Sequence, residues 1–222
     1  VDDIGTDYFD ETEGYVYADY DFLKLKFGSD RNLIGYGPNK IIMSDNAPRS
    51  DYISMDINYK FLSFSYMHAK LLGNESVVGD SVQGTLRTID EKYLAYHRLG
   101  IDFGQYFKLG LGEMIIYSNR GIDFSYLNPF NFYKSSEHLN QDRDNSLLFF
   151  DFTSKPIDGL KLYASVLLDD IHFGKIGTDW YGNKALISIG AKSSLLYSYL
   201  PLDISFDYTR IDPYVYSHRI YN

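Results

Sequence analysis

Leu62, Phe64 and Tyr66 alternate with Ser63 and Ser65, and this period of two recurs along much of the chain. Just before them, Ile53, Met55, Ile57 and Tyr59 alternate with Ser54, Asp56, Asn58 and Lys60, so each run predicts a strand with one apolar and one polar face. Lys60 and Phe61 are the whole connection between the two, which predicts a hairpin. Tyr93, Ala95, His97, Leu99, Ile101 and Phe103 oppose Arg98, Gly100 and Asp102 in the same way, and a break near Gln105 leads to a partner run at 109–117. Residues 15–27 read as one further run, whose tail sets Leu23, Leu25 and Phe27 against Lys24 and Lys26. Segments 146–154, 160–169, 183–193, 202–211 and 214–221 complete a set of about ten strands, most of them near the ~9–11 residues that a tilted membrane strand needs. No run shows a competing helical period.

The connections are of two kinds, very short turns and a few long polar segments, notably 73–91 and 119–145. Short turns on one side and long loops on the other are the habit of outer-membrane barrels, although a soluble sandwich or lipocalin-like barrel shares the strand alternation. Composition moves the balance toward the membrane. The chain carries 22 Tyr and 15 Phe beside one Trp, residues that favour strands and membrane interfaces. Mean hydropathy is −0.27, and no run approaches the ~18 apolar residues of a spanning helix. That leaves an antiparallel transmembrane β-barrel as the predicted all-β fold, one domain over 1–222, with Lys24, Asp56, Arg98 and Asp102 expected inside it.

A net charge of −9 argues against nucleic-acid partners, which need clustered Lys and Arg. There is no Cys, hence no thiolate metal site. The densest chemistry lies in 119–145, where Asn119, Arg120, Asp123, Asn128, Glu137 and His138 precede Asp142, Arg143, Asp144 and Asn145, with Tyr133 among several rings. Amides, carboxylates and guanidinium groups interleaved with aromatic rings suit sugars, whose hydroxyls hydrogen-bond while their C–H faces stack. The same segment could equally fold inward as a plug, its charges paired with residues of the barrel interior. Its acidic spacing lacks the glycine and final glutamate of a calcium loop, and no second His stands at zinc spacing, so a salt-bridge cluster with Arg143 is the expectation rather than a metal.

No catalytic residue is assigned. His68, His97, His172 and His218 each stand alone. The block Gly79, Asp80, Ser81 and Val82 is similar to one esterase nucleophile block but has no Asp and His at the spacing that chemistry needs, Asp212 and His218 being six apart. Asp169 and Asp170 are adjacent in a strand and so point to opposite faces, which prevents joint action on one glycosidic bond.

Several blocks together resemble the Wzi family of capsule assembly proteins. They are IGYGPNKIIMSDNAPRSDY (34–52), KYLAYHRL (92–99), GLGEMIIY (110–117), LNPFNFYKSSEHLNQDRDNSLLFFDF (127–152) and GLKLYASVLLDD (159–170). The resemblance covers most of the chain and implies a bacterial outer-membrane barrel that holds surface or capsular polysaccharide in a lectin-like way. It also implies no catalysis, no cofactor, contact with outer-membrane lipid, and a monomer once complete. The family barrel is larger than the strands counted, so further strands are expected at one or both ends. A channel or transporter of the same architecture is the alternative, and a membrane-embedded hydrolase a weaker one.

Overall fold

The alternating runs do become strands, and each finds its neighbour through a tight connection. A computed structural model describes residues 12–216, apart from 39, 45, 74, 81–83, 142, 171–172, 176–177, 179 and 181. The strands are β1 (Gly14–Tyr20), β2 (Leu23–Asp30), β3 (Ser50–Tyr59), β4 (Leu62–Leu71), β5 (Glu75–Asp80), β6 (Gly84–Ile89), β7 (Lys92–Asp102), β8 (Lys108–Ser118), β9 (Asn145–Ile157), β10 (Leu160–Asp170), β11 (Lys184–Ser193) and β12 (Ile204–Ile211). Ten of them form one antiparallel sheet in the order β1-β2-β3-β4-β7-β8-β9-β10-β11-β12, and β5 and β6 pair separately as a hairpin. The sheet is open: β1 and β12 are its edges among the described residues.

Three sequence expectations change. Residues 15–27 are two strands, with the turn at Asp21 and Phe22. The apolar positions are even-numbered before it (Val16, Ala18, Tyr20) and odd-numbered after it (Leu23, Leu25, Phe27), and the pairing Val16 with Phe27, Ala18 with Leu25 and Tyr20 with Leu23 returns them to one face. Residues 213–216 form a turn, with Tyr214 and Tyr216 at φ 68° and 69°, instead of opening a strand, and 217–222 lie outside the described residues. The segment 119–145 contains two helices where no helix was expected, α1 (Phe124–Leu127) and α2 (Tyr133–Leu139). Both are too short to leave a periodic signature in sequence.

Followed through the register, the alternation divides the sheet into two unlike faces. One carries Phe27, Ile53, Phe64, Leu99, Leu111, Phe150, Val166, Ile189 and Phe206 across nine successive strands. Many of these are exposed, Leu111 at 62% and Phe27 at 66%. The other face carries Lys24, Asp56, Ser65, Arg98, Asp151, Ser165, Ser188 and Thr209, together with Asp102. The polar face is thus the more buried one, an inversion of a water-soluble sheet.

The connections are sorted by end. Turns at 21–22, 60–61, 103–107, 158–159 and 194–203 lie at one end of the sheet. Connections 31–49, 72–91, 119–144 and 171–183 lie at the other. Near the long connections the polar face holds an apolar layer of Tyr52, Met67, Leu94, Tyr96, Met114, Leu147, Phe149, Leu167 and Leu186, on which Ile42 packs together with Ile34, Ile41 and Met43. Connection 31–49 therefore lies over the polar face. Tyr96 and Phe149 stack within the layer, with ring centroids 5.4 Å apart and planes 3° from parallel, over Gly112 of the intervening strand.

A Cβ at Gly112 would overlap both the Phe149 ring and the His97 carbonyl, the latter a backbone atom that cannot step aside. Gly112→Val is expected to cost about 1–3 kcal/mol in urea unfolding of the folded protein. Gly14→Ala, with no atom within 4 Å of the new carbon, should leave the unfolding free energy within about 0.5 kcal/mol of the parent.

Candidate functional site

Residues 119–144 fold onto the apolar face, opposite the face that carries the charges. In the open sheet this segment and the 31–49 connection therefore lie on opposite faces. Its inner surface is a set of tyrosines: Tyr126 of α1 and Tyr133 of α2 pack with Tyr93, Ala95, Ile115 and Tyr117 of β7 and β8, all on the apolar face. The polar side chains of that face gather beneath it. Tyr66 donates to the Leu127 carbonyl (2.8 Å), His97 Nδ1 meets the Pro129 carbonyl (3.1 Å), and Glu113 accepts the Tyr133 N–H (2.8 Å) while lying 3.2 Å from His97 Nε2. Phe130 stacks on Phe64 with centroids 5.3 Å apart. The segment thus satisfies groups that would otherwise interrupt an apolar surface.

What anchors the segment is Arg120. Its guanidinium makes two bonds to Asp144 (2.7 and 2.6 Å), touches Asp123 at 3.3 Å, and lies over the Tyr117 ring at 4.8 Å. Asp144 is 0% exposed and also accepts the Tyr126 hydroxyl (2.7 Å). Asp123 caps α1 through the Ser125 N–H (2.9 Å), the role expected of an Asp before a helix. Burial first, and then this bond to Asp144, hold the Tyr126 hydroxyl above the usual tyrosine range, and burial does the same for Tyr133. The Arg120 guanidinium is held above its ordinary value by its bonds to Asp144.

The other expected site residues scatter. Glu137 is buried and bonds Lys134 (2.7 Å) and Ser146 (2.5 Å). Asn119 takes a left-handed conformation (φ 60°) at the end of β8, and Asn128 turns the chain between the helices, its amide 3.2 Å from Asn131. His138 sits in the last turn of α2. Arg143 bonds the Asn140 carbonyl (3.2 Å), and an ion cluster forms around Arg120. Asn145 begins β9 on the polar face, and Asp142 lies outside the described residues. The segment covers part of the apolar face, with Phe124, Phe130, Phe132 and Leu139 exposed.

A second interleaving of rings, carboxylates and guanidinium stands on the polar face. Arg98 of β7 reaches across Gly110 of β8 to Asp151 of β9, with Nε 2.7 Å and Nη2 2.6 Å from the two carboxylate oxygens. The reach requires the glycine, because a Cβ there would overlap the guanidinium. Asp56 accepts the Ser65 hydroxyl (2.6 Å) nearby. Over these groups the 31–49 connection brings Tyr36, whose hydroxyl is pushed up by burial. Gly37, at φ +86°, lies so close to the Tyr163 ring that a side chain would have no room. A cavity of about 310 Å³ remains, bounded by Asn32, Tyr36, Ser54, Asp56, Ser65, Tyr96, Arg98 and Asp151, at the lower end of the volumes of small-molecule clefts.

Sequence reasoning placed Arg98 and Asp56 on this face but did not assemble them with Tyr36, Tyr96 and Asp151. One sign was present: Asp151 is the lone charge in the apolar run LLFFDF. Among the described residues, no group of three or more His, Asp or Glu side chains could hold a metal ion, and no helix is long and apolar enough to cross a membrane. Of the esterase-like block, Ser81 and Val82 lie outside the described residues, as do His172 and His218. No protein-family model, curated protein or solved structure matched the chain.

Arg120→Ala would leave the Asp144 carboxylate buried without its counter-ion, an expected loss of about 3–5 kcal/mol. Limited proteolysis should then cleave between 119 and 144 well before the sheet, whereas the parent resists. Arg120→Lys should recover part of the loss, since a lysine keeps the charge but not the two-pronged geometry.

Proposed function

We propose that the chain is part of an outer-membrane β-barrel, similar to the Wzi family, that holds surface polysaccharide without chemically altering it. The observation that carries this reading is the inverted sheet: exposed apolar side chains on one face, and a buried polar face with a cavity of mixed rings and charges on the other. Lipid is the solvent in which that exposed face is stable. In lipid the free ladders of β1 and β12 would cost several kcal/mol per unpaired group, so closure into a barrel belongs to the same proposal. The long connections then face outward and the short turns face the periplasm. Phe124, Phe130 and Phe132, exposed on the α1–α2 cover, join the interfacial aromatic belt.

The polysaccharide half of the reading rests on the polar-face cavity and on the resemblance of the ordered blocks. Those blocks supply its parts: Tyr36 and Gly37 come from the first, Arg98 from the second, Gly110 from the third and Asp151 from the fourth. Tyr36 and Tyr96 offer ring faces, and Ser54, Asp56, Asp151 and Arg98 offer donors and acceptors for hydroxyls.

Placement in the membrane is tested by paired substitutions. Leu111→Arg on the apolar face should destabilise the protein in bilayers by about 2–4 kcal/mol, while Ser54→Arg on the polar face should insert normally. Equal tolerance of both would remove the membrane reading. For the polysaccharide, the full chain in detergent should retain surface glycan extracted from its cells of origin in a pull-down, with Asp151→Ala weakening retention. Planar-bilayer recordings separate the channel alternative: with 31–49 lying over the polar face, little current should pass until residues 34–43 are deleted.

A further inference from the structure

The cavity at Arg98 is not isolated. Tyr36 also borders a second cavity, of about 480 Å³, lined by Gln105, Lys108, Lys155 and Lys161. Gln105, Lys155 and Lys161 in turn border a third, of about 540 Å³, which reaches Lys192 at the short-turn end. Shared lining residues place the three side by side, as a row of adjoining cavities along one side of the sheet.

Its far part is basic in a chain whose net charge is −9. Lys161 of β10 and Lys192 of β11 are direct cross-strand partners, a placement in which like charges repel. Lys155 and Lys161 line both the second and the third cavity. None of Lys155, Lys161 and Lys192 forms an ion pair with a described carboxylate, whereas Lys108 nearby is paired with Asp102. Asp158 and Asp203 also line the third cavity, and neither lies within ion-pair distance of those three lysines. Repulsion retained along a groove is relieved when a polyanion lies in it.

We infer that this groove binds an acidic polysaccharide, a linear glycan whose carboxylates meet Lys155, Lys161 and Lys192 while a neighbouring sugar occupies the Tyr36–Arg98 cavity. The inference rests on the polysaccharide-binding reading and deepens it by naming the ligand's charge and its direction along the sheet. A single anion would not need three adjoining cavities, and a neutral glycan would leave the lysine pair uncompensated.

The experiment is calorimetric titration of the full chain in detergent micelles at ~50 mM salt, where screening is weak, with polygalacturonate and with neutral dextran of matched length. Wild type should bind polygalacturonate about tenfold more tightly than dextran, in line with three partly exposed charge contacts. The triple variant K155Q/K161Q/K192Q should lose about that factor and keep its dextran affinity, and K155R/K161R/K192R should retain binding of the acidic polymer. An unchanged affinity in the Gln variant, or equal affinity of wild type for both polymers, overturns the inference and leaves polysaccharide binding itself standing. Wild type that binds neither polymer overturns the inference, and failure to retain the extracted surface glycan as well would remove the broader reading. Inorganic polyphosphate serves as a non-sugar polyanion: binding it as tightly as polygalacturonate overturns the glycan assignment.

Discussion

Everything in this molecule depends on strand register. In a strand the side-chain period is two, so a slip of one residue would send the charged set to the exposed face and the apolar set inward. The register is fixed by large groups lying over glycines of the neighbouring strand. Arg98 passes over Gly110 to reach Asp151, Phe149 covers Gly112, and Tyr163 covers Gly190. Each large group fits only where its glycine stands, so they act as keys across β7, β8 and β9 and between β10 and β11. A buried Arg–Asp pair adds little net stability compared with an apolar replacement, but the cost of leaving either charge alone makes wrong pairings expensive. Here it contributes specificity of alignment more than free energy.

The sheet was largely legible in the sequence because alternation reports faces directly. The runs at 52–60, 62–66, 93–103 and 109–117 correspond to β3, β4, β7 and β8, the first and third ending one residue beyond the strand, and the hairpin at Lys60 and Phe61 is present, with Lys60 at φ 55°. The missed turn at Asp21 was also written there, as a change of phase from even to odd apolar positions. The site was harder to read. Composition drew attention to 119–145, where polar residues are dense, but density of charge in sequence does not say which charges answer one another. Arg120 pairs with both Asp123 and Asp144 within the segment. Arg98 and Asp151, 53 positions apart, meet only because β8 lies between them in the sheet.

The α1–α2 cover answers a local problem of the apolar face. Tyr66, His68, His97, Glu113 and Ser146 are polar side chains on that face, and they cluster on β4, β7, β8 and the start of β9. The cover lies where they are, supplying Leu127, Pro129 and Tyr133 backbone groups and the Glu137 side chain as partners. Tyr133 stacks on His97 with centroids 4.4 Å apart, closing the layer. The helices are short because their task is to present a few backbone groups and rings, and Arg120 supplies the fastening that helical length does not.

The hydrogen bond from Tyr216 to the Ile41 carbonyl joins residues 175 positions apart, and the Tyr216 N–H is itself held by Asp169 of β10. Contacts of such separation form late, because chain entropy opposes them until the intervening structure exists. The connection between β2 and β3 is made early in the chain, yet the partner that fastens it arrives only after β12. Ile42 and its neighbours already pack on the apolar layer of the polar face, so the Tyr216 bond is a second fastening, and it ties the cover between β2 and β3 to the segment that follows β12. Loss of the Tyr216 hydroxyl would loosen one edge of the cover and leave its apolar seat in place.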